Sequence, residues 1–301
     1  MRIFSEFAER ADSGDTFRAE SGPDRIRANL ADIGATLLIA SAKGGVGKSI
    51  ITANVGGALA RRGRKVAIVD ADLNSPSIIG MLGMKQPRGL PLVEGIEPAA
   101  GPHGLRVISS DLLASVEPPP VAFVEPENEP LPTSPARPTA TKESDALFQM
   151  LTQARLGALD FALVDLAPGI EDLYAVARMV RPHGIVMVSH SSAQSVKATQ
   201  QAVRVARRIE IPVLGLIENM AGFNCDGCRS VRPLMPEGSL AGAASDLELP
   251  VIGRLPFDPR LAEASDRGRL FIHEFADSPL AKILVEIATT IERLVPAQRR
   301  A

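Results

Sequence analysis

A glycine-rich run bounded by lysines is the part of this chain with the clearest chemistry. It consists of Lys43, Gly44, Gly45, Val46, Gly47, Lys48, Ser49 and Ile50. Glycines let backbone N–H groups turn toward phosphate oxygens without a Cβ clash, and a helix that begins at the end of the run adds its positive dipole. Lys48 would then reach the β- and γ-phosphates, and the Ser49 hydroxyl would bind Mg²⁺. The run predicts a nucleotide-binding phosphate loop.

Carboxylates follow two apolar runs further along the chain. Asp70 and Asp72 come after Lys65–Val69, and Asp165 comes after Phe161–Val164. Ligands of open α/β sheets bind at the carboxyl ends of strands, where carboxylates can hold a metal ion or orient water for phosphoryl transfer. We predict that Asp165 holds magnesium through water, that Asp70 contacts the same ion indirectly, and that Asp72 orients the attacking water. A capped turn is the alternative for Asp70 and Asp72.

The only two cysteines, Cys225 and Cys228, stand three positions apart in a chain of 301 residues. Random placement would rarely bring two cysteines so close, and this spacing lets two thiolates bind one metal. A tetrahedral zinc or a 4Fe–4S cluster needs four ligands. A symmetric dimer would supply four cysteines on its twofold axis. The histidines do not complete a ligand set within one chain, because they are widely spread at His103, His183, His190 and His273.

The elements that must position these residues alternate between short apolar runs and helical patterns. The predicted strands are Thr36–Ala40, Lys65–Val69, Leu105–Ile108, Phe161–Val164, Gly184–Val188, Val213–Ile217 and Val251–Arg254. The predicted helices are Ser49–Arg62, Leu147–Leu156, Asp172–Val180, Ala193–Arg208, Leu240–Leu247 and Pro279–Val295. Continuous apolar strands indicate a parallel sheet covered on both faces. The alternation predicts a doubly wound α/β fold with right-handed crossovers.

Two segments fall outside this pattern. Residues 1–33 are polar, and we expect an irregular extension there, with weak helical character at 24–33, ahead of one ATPase domain at 34–297. Eight of the 22 residues in Glu117–Pro138 are proline, which predicts an extended insertion over residues 117–142.

The composition bears on partners and location. The net charge of −2 and the absence of tryptophan argue against a nucleic-acid partner. We found neither a secretory signal nor an apolar run long enough to span a bilayer, so we expect a cytoplasmic protein without a membrane partner.

The quoted motifs resemble the Mrp/ApbC family of iron–sulfur cluster carriers. The loop has the deviant Walker A form, with Ala42 where glycine is general and Lys43 as an extra lysine. The run from Glu218 through Asn219 and Met220 to the two cysteines is characteristic of this family. The resemblance implies an ATP-hydrolysing homodimer that holds a 4Fe–4S cluster between its subunits and passes it to apo-proteins.

The resemblance also implies individual roles. Lys43 would reach the nucleotide of the partner subunit, and Asn219 would bind the adenine edge. The segment Pro256, Phe257 and Asp258 would flank the base. The Gly169 N–H, after Pro168, is a further candidate for the γ-phosphate.

Departures from the family pattern keep alternatives open. Ala167, Ile170 and Glu171 differ from the family near the expected γ-phosphate, and Arg229 replaces a glycine after the second cysteine. Structural zinc or a redox dithiol are alternatives for the cysteines. A metal-free positioning ATPase and a nucleotide-gated scaffold without turnover are alternatives for the whole chain.

Overall fold

An eight-stranded sheet organises the residues that the computed structural model describes, which are 22–85, 95–112, 142–224, 231–235 and 239–295. Its strands are β1 (Ile33–Ala40), β2 (Val66–Ala71), β3 (Ala99–Ala100), β4 (Arg106–Ile108), β5 (Leu159–Leu166), β6 (Gly184–Ser189), β7 (Val213–Glu218) and β10 (Val251–Arg254). A separate antiparallel pair is formed by β8 (Phe223–Asn224) and β9 (Val231–Arg232).

Helices connect these strands. They are α1 (Gly22–Leu30), α2 (Lys48–Arg61), α3 (Ile78–Met81), α4 (Lys142–Gln153), α5 (Ile170–Val180), α6 (Ala193–Arg208), α7 (Ser239–Asp246), α8 (Pro259–Asp266), α9 (Phe271–Glu274) and α10 (Pro279–Leu294). Within the described ranges, no helix combines the length and the apolar character needed to cross a bilayer.

The strand order is β10-β7-β6-β1-β5-β2-β4-β3. Every neighbouring pair is parallel except the short pair β3 and β4. The first strand of the chain therefore lies in the middle of the sheet, with β5 on one side and β6 on the other. This arrangement confirms the predicted doubly wound α/β fold, and all seven predicted strands lie in the sheet.

Each face of the sheet is buried under its own layer of helices. Along β1, Leu37 and Ile39 join the core beneath α2 and α10, whereas Leu38 and Ala40 join the core beneath α4, α5 and α6. Successive strand side chains point to opposite faces, so a strand that is buried on both sides reads as one continuous apolar run. This is why the strands were visible in the sequence.

The region expected to be an irregular extension is in part helical. Within it, α1 places Ile26 in the core with no exposed surface. The Asn29 amide donates to the backbone carbonyls of Leu151 (3.1 Å) and Thr152 (2.7 Å) at the end of α4. The weak helical character expected at 24–33 thus corresponds to a helix over Gly22–Leu30, which contacts the domain through Ile26 and Asn29.

Two predicted segments lie wholly or almost wholly outside the described residues. Residues 1–21 of the expected extension lie outside the described residues. The predicted insertion at 117–142 also lies outside them, except for Lys142, at which α4 begins.

Candidate functional site

The phosphate loop runs from the end of β1 to the start of α2, as the sequence predicted. Gly45 and Gly47 have φ values of 76° and 82°, a left-handed conformation that favours glycine. A Cβ on Gly47 would lie 2.3 Å from the amide nitrogen of Asn219, so a larger residue would also be excluded sterically. Between them, Val46 is buried, and beyond the loop Ile50 packs partly against the core. Gly45 is thus favoured by its backbone conformation, and Gly47 by both its conformation and the close approach of Asn219.

Asp165, at the end of β5, contacts three polar side chains in the first part of α2. Its Oδ2 accepts from the Ser49 hydroxyl at 2.6 Å and lies 3.0 Å from Lys48 Nζ. Its Oδ1 accepts from the Thr52 hydroxyl at 2.7 Å. Lys48 and Asp165 are both buried, so each charge depends on the other for compensation. The structure brings together the predicted lysine, hydroxyl and carboxylate of the phosphate site.

Thr52 was missed by the sequence reasoning. It lies one helical turn beyond Ser49 on α2, so both hydroxyls face the same carboxylate. The signal available in the sequence was this three-residue spacing between two hydroxyl side chains directly after the loop.

Asp70 lies beside Asp165, because the two are register partners in the adjacent strands β2 and β5. Its carboxylate is fully buried and accepts from the backbone N–H groups of Asp72 (3.3 Å), Ser77 (2.9 Å) and Ile78 (3.1 Å). Burial, followed by the negative charge of Asp165, raises the pKa of Asp70 from 3.8 to about 6, against the opposing effect of these three donors. Two neighbouring buried carboxylates form an oxygen-rich place that a hard divalent cation would stabilise.

Asp72 lies in the loop between β2 and α3 and is partly exposed. Its carboxylate accepts from the Ser75 N–H at 3.2 Å and closes a turn there. Its position past the strand end agrees with the sequence, and its action on water stays a prediction.

Gly169, at the start of α5, contacts the phosphate loop through its backbone. Its N–H donates to the Ser41 carbonyl at 3.0 Å, and a Cβ on Gly44 would lie 3.7 Å from Pro168. The predicted contact with a γ-phosphate would require this N–H to leave Ser41. The segment after β5 and the loop after β1 are therefore already in contact.

Lys43 extends toward the first turn of α6. Its Nζ donates to Gln194 Oε1 at 2.7 Å. Among the described residues, no carboxylate forms an ion pair with it, although the positive end of a 16-residue helix lies nearby. The ammonium group is thus held only by a neutral amide, and its predicted role toward a partner subunit stays a prediction.

Asn219 follows β7 and lies behind the phosphate loop. Its amide nitrogen donates to the Val46 carbonyl at 2.8 Å, and the side chain is only 5% exposed. The amide nitrogen carries a second N–H besides the one donated to Val46, and the predicted adenine contact stays a prediction. The sequence reasoning did not find the contact with Val46, because it joins residues that are distant in the chain.

The predicted base-flanking segment lies after β10. Phe257 is 41% exposed and forms an isolated parallel bridge with Phe223. Asp258 caps α8 by accepting from the Arg260 N–H at 3.0 Å, and it also binds the Arg260 guanidinium. Hydrogen bonding to Arg260 holds the pKa of Asp258 below its usual value. Pro256 and Phe257 leave exposed apolar surface at this edge, while the carboxylate of Asp258 serves as a helix cap.

Cys225 and Cys228 lie outside the described residues. The described strands on either side are β8 and β9, in which Asn224 pairs with Val231. The cysteine prediction therefore rests on the sequence.

Comparison with known proteins identifies the family. The model of ParA-type NUBPL iron-transfer P-loop NTPases matches residues 32–292. The iron-sulfur cluster carrier protein of Saccharolobus solfataricus is 32% identical over 91% of this chain and 88% of its own length. The cytosolic Fe-S cluster assembly factor NUBP2 of Bos taurus is 33% identical over 89% of this chain and 96% of its own length.

A solved structure supports the same assignment. The nucleotide-binding protein of Archaeoglobus fulgidus in complex with ADP has a TM-score of 0.68 and 29% identity, covering 86% of this chain and 95% of that one. Fold, phosphate-site geometry and relatives agree. The chain belongs to the NUBPL iron-transfer family of P-loop NTPases.

Proposed function

We propose that this chain binds and hydrolyses ATP and, as a cytoplasmic homodimer, carries an iron–sulfur cluster to apo-proteins. The observation that carries the proposal is the cluster of Lys48, Ser49 and Asp165 in a chain whose cysteine pair follows Asn219 after only a few residues. One polypeptide then carries both a nucleotide site and a thiolate pair. Relatives named as iron-sulfur cluster carriers support this function.

The residues at the strand ends fit a nucleotide with magnesium. The Ser49 hydroxyl would bind Mg²⁺ directly, Asp165 would hold the ion through water, and Asp70 would contact it indirectly; oxygen groups of this kind suit Mg²⁺. When bound, Mg²⁺ neutralises charge on the phosphates. The buried Asp70 carboxylate lies beside Asp165, and burial together with the Asp165 charge raises its pKa to about 6, which supports a cation near this pair. Lys48 binds the phosphates, and Asp72 orients water.

The iron–sulfur cluster is the cargo, and the two cysteines are the residues that would bind it. Cys225 and Cys228 supply two thiolates per chain, so two chains provide the four ligands that a 4Fe–4S cluster requires. Lys43 has no carboxylate partner among the described residues, which suits a cation that binds the nucleotide of a second copy. The recipients are apo-proteins that supply their own ligands.

Anaerobic reconstitution tests the proposal. The purified chain is treated with iron and sulfide, and its absorbance spectrum, metal content and sedimentation are measured, followed by transfer to an apo-protein acceptor. We expect a thiolate-to-iron band, about four irons per dimer and transfer to the acceptor. Cys225→Ser and Cys228→Ser should abolish the band and leave ADP binding in place.

Retention of zinc, with no thiolate-to-iron band, would replace the carrier function by a structural metal. A chain that stays monomeric with ATP, magnesium and iron supplied would also contradict the proposal. A phosphate-release assay separates hydrolysis from binding alone.

A further inference from the structure

Thr52 contacts one oxygen of the Asp165 carboxylate, and the side chains assigned to phosphate and magnesium contact the other. The Thr52 hydroxyl lies 2.7 Å from Oδ1. The Ser49 hydroxyl (2.6 Å) and Lys48 Nζ (3.0 Å) both lie on Oδ2. Ser49 and Thr52 are three residues apart on α2, so one helical turn presents both hydroxyls to the same carboxylate. The two oxygens of Asp165 therefore have separate partners.

The Thr52 hydroxyl is the donor in its contact with Asp165. Asp165 is paired with the Lys48 ammonium, and an ionised carboxylate only accepts hydrogen bonds, so the proton comes from Thr52. The same hydroxyl lies 3.0 Å from the Lys48 carbonyl, which is a longer contact with a neutral acceptor. A hydroxyl has one proton, and a charged acceptor forms the stronger bond. The hydroxyl therefore donates to Oδ1.

Burial makes this hydrogen bond hard to replace. Thr52 and Asp165 have no exposed surface, so bulk water cannot take the place of the hydroxyl. The torsion that rotates an aspartate carboxylate about its Cβ–Cγ bond is broad, so the carboxylate turns easily when nothing holds it. Such a rotation would move Oδ2 away from Ser49. The donor on Oδ1 thus fixes the direction of the other oxygen.

We propose that Thr52 is a positioning residue for magnesium, because its hold on Oδ1 keeps Oδ2 facing the place beside Ser49 where the ion would bind. The inference rests on the nucleotide and magnesium site of the proposed function and is independent of the cysteines. Lys48 would have to release Oδ2 in order to bind phosphate. Thr52 has no such second task, so it would keep the carboxylate in place while the partners of Oδ2 change.

The magnesium dependence of ADP binding tests this role. Isothermal titration calorimetry measures the dissociation constant of ADP with saturating magnesium and again with EDTA, and the ratio of the two is the magnesium-dependent gain. Thr52→Val removes the hydroxyl and nearly keeps the shape. We expect its gain to fall by about tenfold or more, the usual effect of losing a group that orients metal-binding residues, with binding in EDTA unchanged. A merely structural defect would weaken binding in both conditions alike.

Two further variants serve as controls. Thr52→Ser retains the hydroxyl and should keep the wild-type gain. Thr199→Val should keep it as well, because Thr199 is also buried and donates to a side chain, Ser189 Oγ at 3.0 Å, but lies on α6 and does not contact Asp165. If Thr52→Val does not fold, Thr52→Cys decides the matter. A thiol is tolerated in buried positions and donates only weakly, so the gain should fall in this variant too.

A wild-type gain in the variants without the hydroxyl would overturn the positioning role, and so would equal weakening of ADP binding with magnesium and with EDTA. Failure of the carrier function is distinguishable, since no cluster would form on reconstitution while the gain and its dependence on Thr52 remained. A wild type that binds ADP equally well in both conditions would contradict the magnesium site itself and this inference with it.

Discussion

At the scale of single residues, Asp165 is the side chain around which the nucleotide site is arranged. Three side chains of α2 converge on its two oxygens, and Asp70 lies next to it in the sheet. The buried charges of Lys48 and Asp165 compensate each other, whereas Asp70 has only backbone donors. The two aspartates should therefore respond differently to mutation and to pH.

Replacing Lys48 by alanine tests the loop assignment. We expect Lys48→Ala to weaken binding of ADP with magnesium by about 3 kcal/mol, or about 100-fold, because a charged hydrogen bond to phosphate is lost. Isothermal titration calorimetry measures this directly. Cluster assembly in vitro should remain largely intact. Lys197→Ala, on the exposed face of α6, is the control, and unchanged affinity in Lys48→Ala would refute the assignment.

Asp70 should make the stability of the ligand-free protein depend on pH. Its folded pKa of about 6 lies above the unfolded value of 3.8, so the folded chain binds more protons between these values. The contribution of Asp70 to stability is present below pH 3.8 and is lost as pH rises through 6. At neutral pH the loss amounts to about 3 kcal/mol at most.

Asp70→Asn removes this titration. The free energy of unfolding of the variant, relative to the wild type, should rise from about pH 4.5 to about pH 7.5, as urea titrations at each pH would show. Any constant cost of the amide cancels in this comparison. Asp266→Asn, in an exposed position on α8, is the control. A difference that stays flat with pH would contradict the buried-charge explanation.

At the scale of elements, the predictable parts are those encoded locally. The loop from Lys43 to Ser49 and the strands beside it carry their signal in adjacent residues, so they were found from the sequence. The contacts of Asn219 with Val46 and of Lys43 with Gln194 join distant positions, and no local pattern reports them. Helix α1 was expected only as weak helical character, since its docking depends on Ile26 and on hydrogen bonds from the Asn29 amide to α4.

Helix α1 should contribute measurably to stability. We expect Ile26→Ala to lower the free energy of unfolding by about 2–5 kcal/mol, because the side chain is fully buried and its loss leaves a cavity. Chemical denaturation measures the change. Ala28→Ser, at an exposed position of the same helix, should stay within about 0.5 kcal/mol of the wild type. Equal stability of Ile26→Ala and the wild type would mean that α1 is only loosely docked.

At the scale of the whole molecule, the proposed pairing of two copies would depend on Lys43, whose ammonium group here donates a hydrogen bond within its own chain. Lys43 must leave Gln194 to reach a partner's nucleotide. We expect ATP to shift the wild type to a dimer in analytical ultracentrifugation and to leave Lys43→Ala monomeric. Gln201→Ala, on the exposed face of α6, should behave as the wild type. A dimer of Lys43→Ala as stable as that of the wild type would remove the role assigned to this lysine.

The central position of β1 in the sheet has a consequence for when the nucleotide site can form during synthesis. This strand is complete at residue 40, yet its neighbours β5 and β6 are supplied only by residues 159–166 and 184–189. Pairings that join such distant positions are slow to form. During synthesis, nearly two thirds of the polypeptide must be made before both strands that flank β1 exist. A nascent chain should therefore bind nucleotide only after β5 and β6 have been synthesised. Fragments that end before β6 should not be retained on immobilised ADP.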